Sequence, residues 1–113
     1  MKLAYIAGPY RTGHGRTVFE NIQAARAVAV KYWKLGYAVI CPHSNTAFFD
    51  GLCPDDTWIE GDLEMLRRCD VVVMMKSWRQ SAGARKEFRL ACRLKKEIIE
   101  EDYVCSSPPP RPA

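Results

Sequence analysis

Paired cysteines are missing from this chain. Cys41, Cys53, Cys69, Cys92 and Cys105 are odd in number and none stands in CxxC spacing. Neither histidine, His14 nor His43, has a recognisable metal-ligand partner. That pattern excludes a disulfide framework and a zinc site, and predicts buried free thiols in a reducing cytoplasm. No apolar run approaches the roughly 18 residues a membrane helix needs. The N-terminus enters a strand-like segment without a charged region and cleavable apolar stretch, so neither a membrane span nor a secretory signal is expected. The loop after the first strand has neither GxGxxG nor a Gly-Lys-Ser/Thr ending, which sets aside dinucleotide and P-loop ATP binding, and no cofactor is expected. The net charge of +4 is modest, and much of the excess is Arg85, Lys86, Arg89, Arg93, Lys95 and Lys96 on one helix. Without interleaved aromatics or a reading motif this run predicts a solvated face, not a nucleic-acid interface. Attraction of small anions stays open.

What remains is ordinary globular material: 113 residues, 48% hydrophobic and 27% charged, enough for one domain and too few for two. Lys2 to Ala7 reads as a buried strand stopped by Gly8-Pro9. A loop rich in Gly and Arg follows to Arg16. Thr17 with Glu20 forms a capping box for a helix carrying Val18, Ile22, Ala25, Ala29 and Tyr32, ended by Gly36. Tyr37 to Cys41 is a second strand. His43 to Asp56 has no clear period and reads as a long functional loop. Asp55 to Arg68 is a helix with Trp58, Ile59, Leu63, Leu66 and Cys69 on one face. Val71 to Met75 is apolar on both faces and therefore central. Lys76 to Gln80 is a turn, Ser81 caps a third long helix running to about Lys95, and Glu97 to Glu100 is a fourth strand.

Strands alternating with helices predict an α/β fold: a small open parallel sheet of the flavodoxin or Rossmann kind, strand order 2-1-3-4, with helices on both faces. Residues 1–104 form this domain, and the Pro-rich residues 105–113 form a disordered tail. Ligands in such sheets bind beyond the carboxyl ends of the strands at the switch point, here between strands one and three. The loops Gly8 to Arg16 and Lys76 to Ser81 flank that crevice.

Two carboxylates stand where apolar residues belong. Glu87 falls in the inward stripe Ala84, Phe88, Ala91, Leu94 of the third long helix. Gly83 and Ala84, one turn earlier, leave space over it. Asp62 falls among Trp58, Ile59, Leu63 and Leu66. An inward carboxylate is costly unless paired or used. A single inward carboxylate on a helix is more often a buried ion pair or a cap partner. Two at a switch point, beside a Ser81 helix start suited to anions, point to the acid and nucleophile pair of glycoside cleavage.

The segments Tyr5-Ile6-Ala7-Gly8-Pro9, Gly61-Asp62-Leu63 through Cys69-Asp70-Val71-Val72-Val73, and Ser81-Ala82-Gly83-Ala84-Arg85-Lys86-Glu87 occur in this order. Together they resemble the nucleoside 2-deoxyribosyltransferase superfamily over about residues 2 to 100. The 2′-deoxynucleoside 5′-monophosphate N-hydrolase branch is the most similar, with Asp-Leu-Glu before an Asp-Val-Val-Val strand and Ser six residues before Glu. The transferases usually have Asp at that Ser position. The resemblance implies Glu87 as nucleophile, Tyr5 orienting it, Asp62 contacting the sugar or acting as acid/base, and Gly8, Arg11, Ser81 and Gly83 holding a phosphate. Pro9, in the same loop, replaces a hydroxyl residue of the hydrolase branch; the Ala-Gly-Pro form also occurs in small related domains. The implied activity is hydrolysis of the N-glycosidic bond of a (deoxy)nucleoside 5′-monophosphate. Base exchange by a transferase and nucleotide binding without turnover are the alternatives. The implied partners are a small nucleotide or nucleoside and further copies of the chain, as dimers or larger oligomers.

Overall fold

The structure, a computed structural model, describes residues 1–101. The predicted tail and Cys105 lie outside the described residues.

Four strands, β1 (Leu3–Ala7), β2 (Ala38–Ile40), β3 (Val71–Met74) and β4 (Glu97–Glu100), form one parallel sheet in the order β2-β1-β3-β4. This is the predicted order, and the register is continuous: Tyr5 stands opposite Ile40 on one side and Val72 on the other, and Val72 opposite Ile98. Helices α1 (Val18–Lys34), α2 (Pro42–Asn45), α3 (Asp55–Arg67) and α4 (Ala82–Arg93) complete the chain, with a 3-10 turn at Trp78–Gln80.

Strand alternation divides the core in two. Ala4, Ile6, Val71 and Val73 face one side, where Ala25, Ala29 and Tyr32 of α1 cover them. Tyr5, Ala7, Val72 and Met74 face the other, against Leu66 of α3 and Ala84 and Ala91 of α4. Helix α1 begins at the predicted capping box: the Glu20 amide donates to Thr17 Oγ1 at 3.1 Å and the Thr17 amide donates to Glu20 Oε1 at 3.0 Å. It ends at Gly36, whose φ of 98° is open to glycine without strain.

Several expectations change. The supposed long loop starts as a helical turn, α2, because Pro42 suits a first helical position; the irregular part is residues 46–54. The turn before α4 contains the 3-10 segment. Leu94, predicted to be inward, caps α4 and is 41% exposed; Leu90 packs in its place. Helix α4 has already ended there, so the helical period no longer sets where a side chain faces. Ile59 is also exposed, because only the second half of α3 reaches the sheet. Of the cysteines, Cys69 is buried, Cys41 is half-buried, and Cys53 and Cys92 are exposed. They lie on a loop and an outer helix face that no second layer covers. Among the described residues, no helix is long and apolar enough to cross a membrane.

Candidate active site

A cavity of about 760 Å³ opens beyond the carboxyl ends of β1 and β3. Ligand pockets for small molecules span roughly 300–1,000 Å³, so a nucleotide-sized guest fits. Its floor is set by Gly8 and Pro9 after β1 and by Met75, Lys76 and Ser77 after β3. One wall is the start of α4 with Ser81, Gly83, Ala84 and Glu87, and the first turns of α3 face it with Trp58, Ile59, Asp62 and Leu63. The remaining wall is the β1–α1 loop with residues from 42–55. The apolar residues that open α3 thus line a cavity instead of a core.

Glu87 lies on this cavity. Tyr5, fully buried in β1, donates its phenol proton to the Glu87 carboxylate. None of the ion pairs among the described residues involves Glu87. Burial pushes the Glu87 carboxyl up to about 8; the Tyr5 hydrogen bond opposes the rise and the Asp62 charge adds to it. Burial alone pushes Asp62 up to about 6. Burial, then the Glu87 and Asp62 charges, hold the Tyr5 phenol well above its ordinary value, so it remains a donor. The structure therefore brings Asp62 and Glu87 to one cavity, with Tyr5 buried behind Glu87, and separates the two carboxyls in acidity. A pair separated in this way can hold one proton between two oxygen acids near neutral pH.

Ser81 is the N-cap of α4, its Oγ accepting from the Ala84 amide at 3.1 Å. Its hydroxyl proton has no acceptor among the described residues, and Ser81 lines the cavity. Gly83 faces open space: an added Cβ would meet only Ser81 Oγ, at 3.9 Å. The fold does not need glycine there. Gly8 is different, since a Cβ would meet Met75 Sδ at 2.5 Å. Close approach of the two strand ends requires it.

Arg11 lines the cavity but is not free. Its guanidinium donates to Asp55 Oδ2 at 2.7 Å, tying the β1–α1 loop to the start of α3. Tyr10 Oη donates to Asp50 at 2.8 Å, a second tie across the mouth. The loop tip is a tight hairpin, with Gly13 and Arg16 exchanging both backbone hydrogen bonds at 3.0 Å and with His14 and Gly15 at positive φ. Buried His43 stands 2.8 Å from the Pro9 carbonyl through Nε2, which must therefore carry the proton; burial lowers its basicity. Asn21, Tyr10, Asp50 and Asp55 were not named as site residues from the sequence, His43 was read there only as a histidine without a recognisable partner, and Trp58 only as part of an apolar helix face. Only Asn21 left a signal there, a polar residue on the buried side of α1.

Among solved structures, a 2-deoxyribosyltransferase from the psychrotolerant bacterium Bacillus psychrosaccharolyticus has a TM-score of 0.64 at 18% identity. The match covers 87% of this chain and 70% of that one. A 2-desoxiribosyltransferase from Leishmania mexicana has a TM-score of 0.62 at 18% identity, over 88% of this chain and 63% of that one. The chain thus shares their fold, and it spans less than two thirds of the second. No curated protein matches the sequence. The family is shown by sequence: residues 1–100 match the model described as a domain of unknown function (DUF4406), and the chain belongs to that family.

Proposed function

We propose that the protein cleaves the N-glycosidic bond of a (deoxy)nucleoside 5′-monophosphate, with Glu87 as nucleophile. The observation that carries this reading is a cavity-facing carboxylate held by the buried Tyr5 phenol, with no cationic partner among the described residues and a second carboxyl, Asp62, on the same cavity. In the reaction, a Glu87 oxygen attacks C1′ as the C1′–N bond breaks, and the bonding pair leaves with the base nitrogen. Between about pH 6 and 8 the shared proton sits mainly on Glu87. The reactive form is the minority one in which it has moved to Asp62, leaving Glu87 ionised to attack and Asp62 to protonate the base. Water then attacks C1′ of the glycosyl ester, the Glu87 carboxylate leaves, and the water's proton returns to Asp62. The sum is nucleotide plus water giving free base and sugar 5-phosphate.

The phosphate end of the substrate is assigned to Ser81, the open amides at the start of α4, Gly83, and the Gly8 to Arg16 loop with Pro9 and Arg11. The Arg11–Asp55 pair does not oppose this. Both side chains are more than half exposed, and such pairs contribute about 0–1 kcal/mol, so a dianionic phosphate can take Arg11 from Asp55. Assembly into a dimer or larger oligomer belongs to the same reading. Phe19, Val30 and Trp33 of α1 and Phe48 and Leu52 near the cavity support it, being apolar and at least half exposed; light scattering checks it.

The test is incubation with each nucleoside 5′-monophosphate and detection of released base. Release that disappears in Glu87→Ala supports the reading, and release by neither protein ends it. A second reading, base exchange between nucleosides, is favoured by the fold shared with two 2-deoxyribosyltransferases. A mixed donor and acceptor-base assay separates transfer from hydrolysis. Nucleotide-induced thermal stabilisation without turnover would leave a binding module.

A further inference from the structure

Asn21 is a polar side chain on the inward face of α1, only 1% exposed. Its amide nitrogen donates to two consecutive backbone carbonyls of the β1–α1 loop, those of Tyr10 and Arg11, at 3.1 Å each. Both protons of one Asn amide are thereby spent on the loop. This fixes more than the carbonyls. In a planar trans peptide the C=O of one residue lies antiparallel to the N–H of the next, and no peptide among the described residues is cis. With the Tyr10 and Arg11 carbonyls turned toward Asn21, the amides of Arg11 and Thr12 are turned to the opposite side. They are consecutive donors, both belong to cavity-lining residues, and neither has a hydrogen-bond partner among the described residues. Successive amides turned the same way form an anion-binding concavity.

We propose that Asn21 is a positioning residue: by taking the Tyr10 and Arg11 carbonyls it presents the Arg11 and Thr12 amides to the anionic group of the substrate. This rests on the reading that the cavity accepts a phosphate-bearing nucleoside, and it assigns phosphate discrimination to a residue that does not touch the phosphate. The loop has few other constraints on these two peptides. Its hairpin bonds begin at Gly13, and the clasps of Tyr10 and Arg11 hold side chains, not peptide planes.

The test is an amide-resonance titration of the 15N-labelled full chain with inorganic phosphate, a deoxynucleoside 5′-monophosphate and the same nucleoside without phosphate. In the wild type, phosphate and the monophosphate should move the Arg11 and Thr12 amides. In Asn21→Leu and Asn21→Ser, Kd for the two phosphate ligands should rise about tenfold or more, the scale of one or two charge-assisted hydrogen bonds. Kd for the free nucleoside should stay within about twofold. If Asn21→Leu does not fold, Asn21→Ser decides. The proposal is overturned by stationary Arg11 and Thr12 amides in the wild type, by unchanged phosphate affinity in the variants, or by equal weakening for phosphate-bearing and phosphate-free ligands, which marks a merely structural role. Turnover is not read. Absence of base release leaves this proposal standing, while turnover with stationary amides sinks it alone.

Discussion

Two walls of the cavity, at α4 and at the β1–α1 loop, are built in opposite ways. The α4 wall rests on regular elements: Glu87 stands one turn above Ala84, which is buried in the core, and takes its hydrogen bond from a tyrosine fixed in the central part of the sheet. The β1–α1 wall is irregular backbone held by exposed clasps, Arg11 to Asp55 and Tyr10 to Asp50, and by one buried amide, Asn21. Burial on the first wall shifts acidities by units, whereas exposed pairs on the second contribute tenths of a kcal/mol to about one. On the proposed reading the nucleophile stands on the regular wall, and the phosphate contacts are shared between the start of α4 and the irregular loop.

The hardest way to break this division is Glu87→Gln. Base release should fall roughly 10³-fold or more, the scale of losing a nucleophile, in a steady-state assay. Stability should move the other way. The folded-state carboxyl titrates near 8 against an ordinary 4.5, so the native wild type binds the extra proton between those values. Its stability is greatest below about pH 4.5 and falls toward pH 8, by at most about 1.4 kcal/mol per pH unit. Denaturant melts should find the Gln variant equal to wild type at low pH and increasingly more stable up to pH 8. A constant difference would show that the carboxyl is not buried as described.

Next comes Tyr5→Phe, which removes the donor that holds the Glu87 pKa down against burial. A loss of about 10–100-fold in kcat/KM is expected, the scale of a hydrogen bond to a charged group. The Glu87 titration should also move to higher pH. In the wild type, kcat/KM should be bell-shaped, with limbs near 6 and 8. One proton must leave the Asp62–Glu87 pair for attack, and one must stay for the leaving base. A pH-independent rate between 5 and 9 would remove the pair from the reaction.

Gly83→Ala sharpens the contrast between fold and site. The space around Gly83 is open, and alanine is the better helix residue by up to about 1 kcal/mol. The variant should therefore melt no lower than wild type while KM rises about tenfold. Gly8→Ala should instead unfold or misfold the protein, because its Cβ has nowhere to go beside Met75. The smallest effect is expected on the loop wall. Asp55→Ala should change stability by less than about 1 kcal/mol and release Arg11, tightening phosphate-bearing ligands in a salt-sensitive way. Weaker binding in Asp55→Ala would mean that the clasp positions Arg11 for the ligand instead of competing with it.

Much of the frame was legible before any coordinates. Thr17 and Glu20 announce α1, Gly36 ends it, and Val71 to Met74 can only be a central strand. Parallel pairing then follows from alternation and handedness, and 2-1-3-4 is the common open arrangement of such units. The carboxylates Glu87 and Asp62 stood out because they interrupt apolar stripes. The residues that were not legible share a feature: their partners are distant in sequence and carry no local pattern. Asp55 looks like an ordinary acidic residue opening a helix, and its contact is Arg11, 44 positions away. Trp58 and Ile59 continue the stripe of Leu66, and nothing in the period says that the sheet ends beneath them.

Local rules, side-chain period and turn chemistry, thus determined the elements, their order and the anomaly of two inward acids, because each acts within a few residues. Tertiary structure alone decided that these acids share one hollow, that Tyr5 reaches Glu87, and that the loop opposite is fastened by Asn21, Asp50 and Asp55. Those outcomes depend on where helices stop relative to the sheet edge, a distance set by packing between segments that no single stretch of sequence encodes.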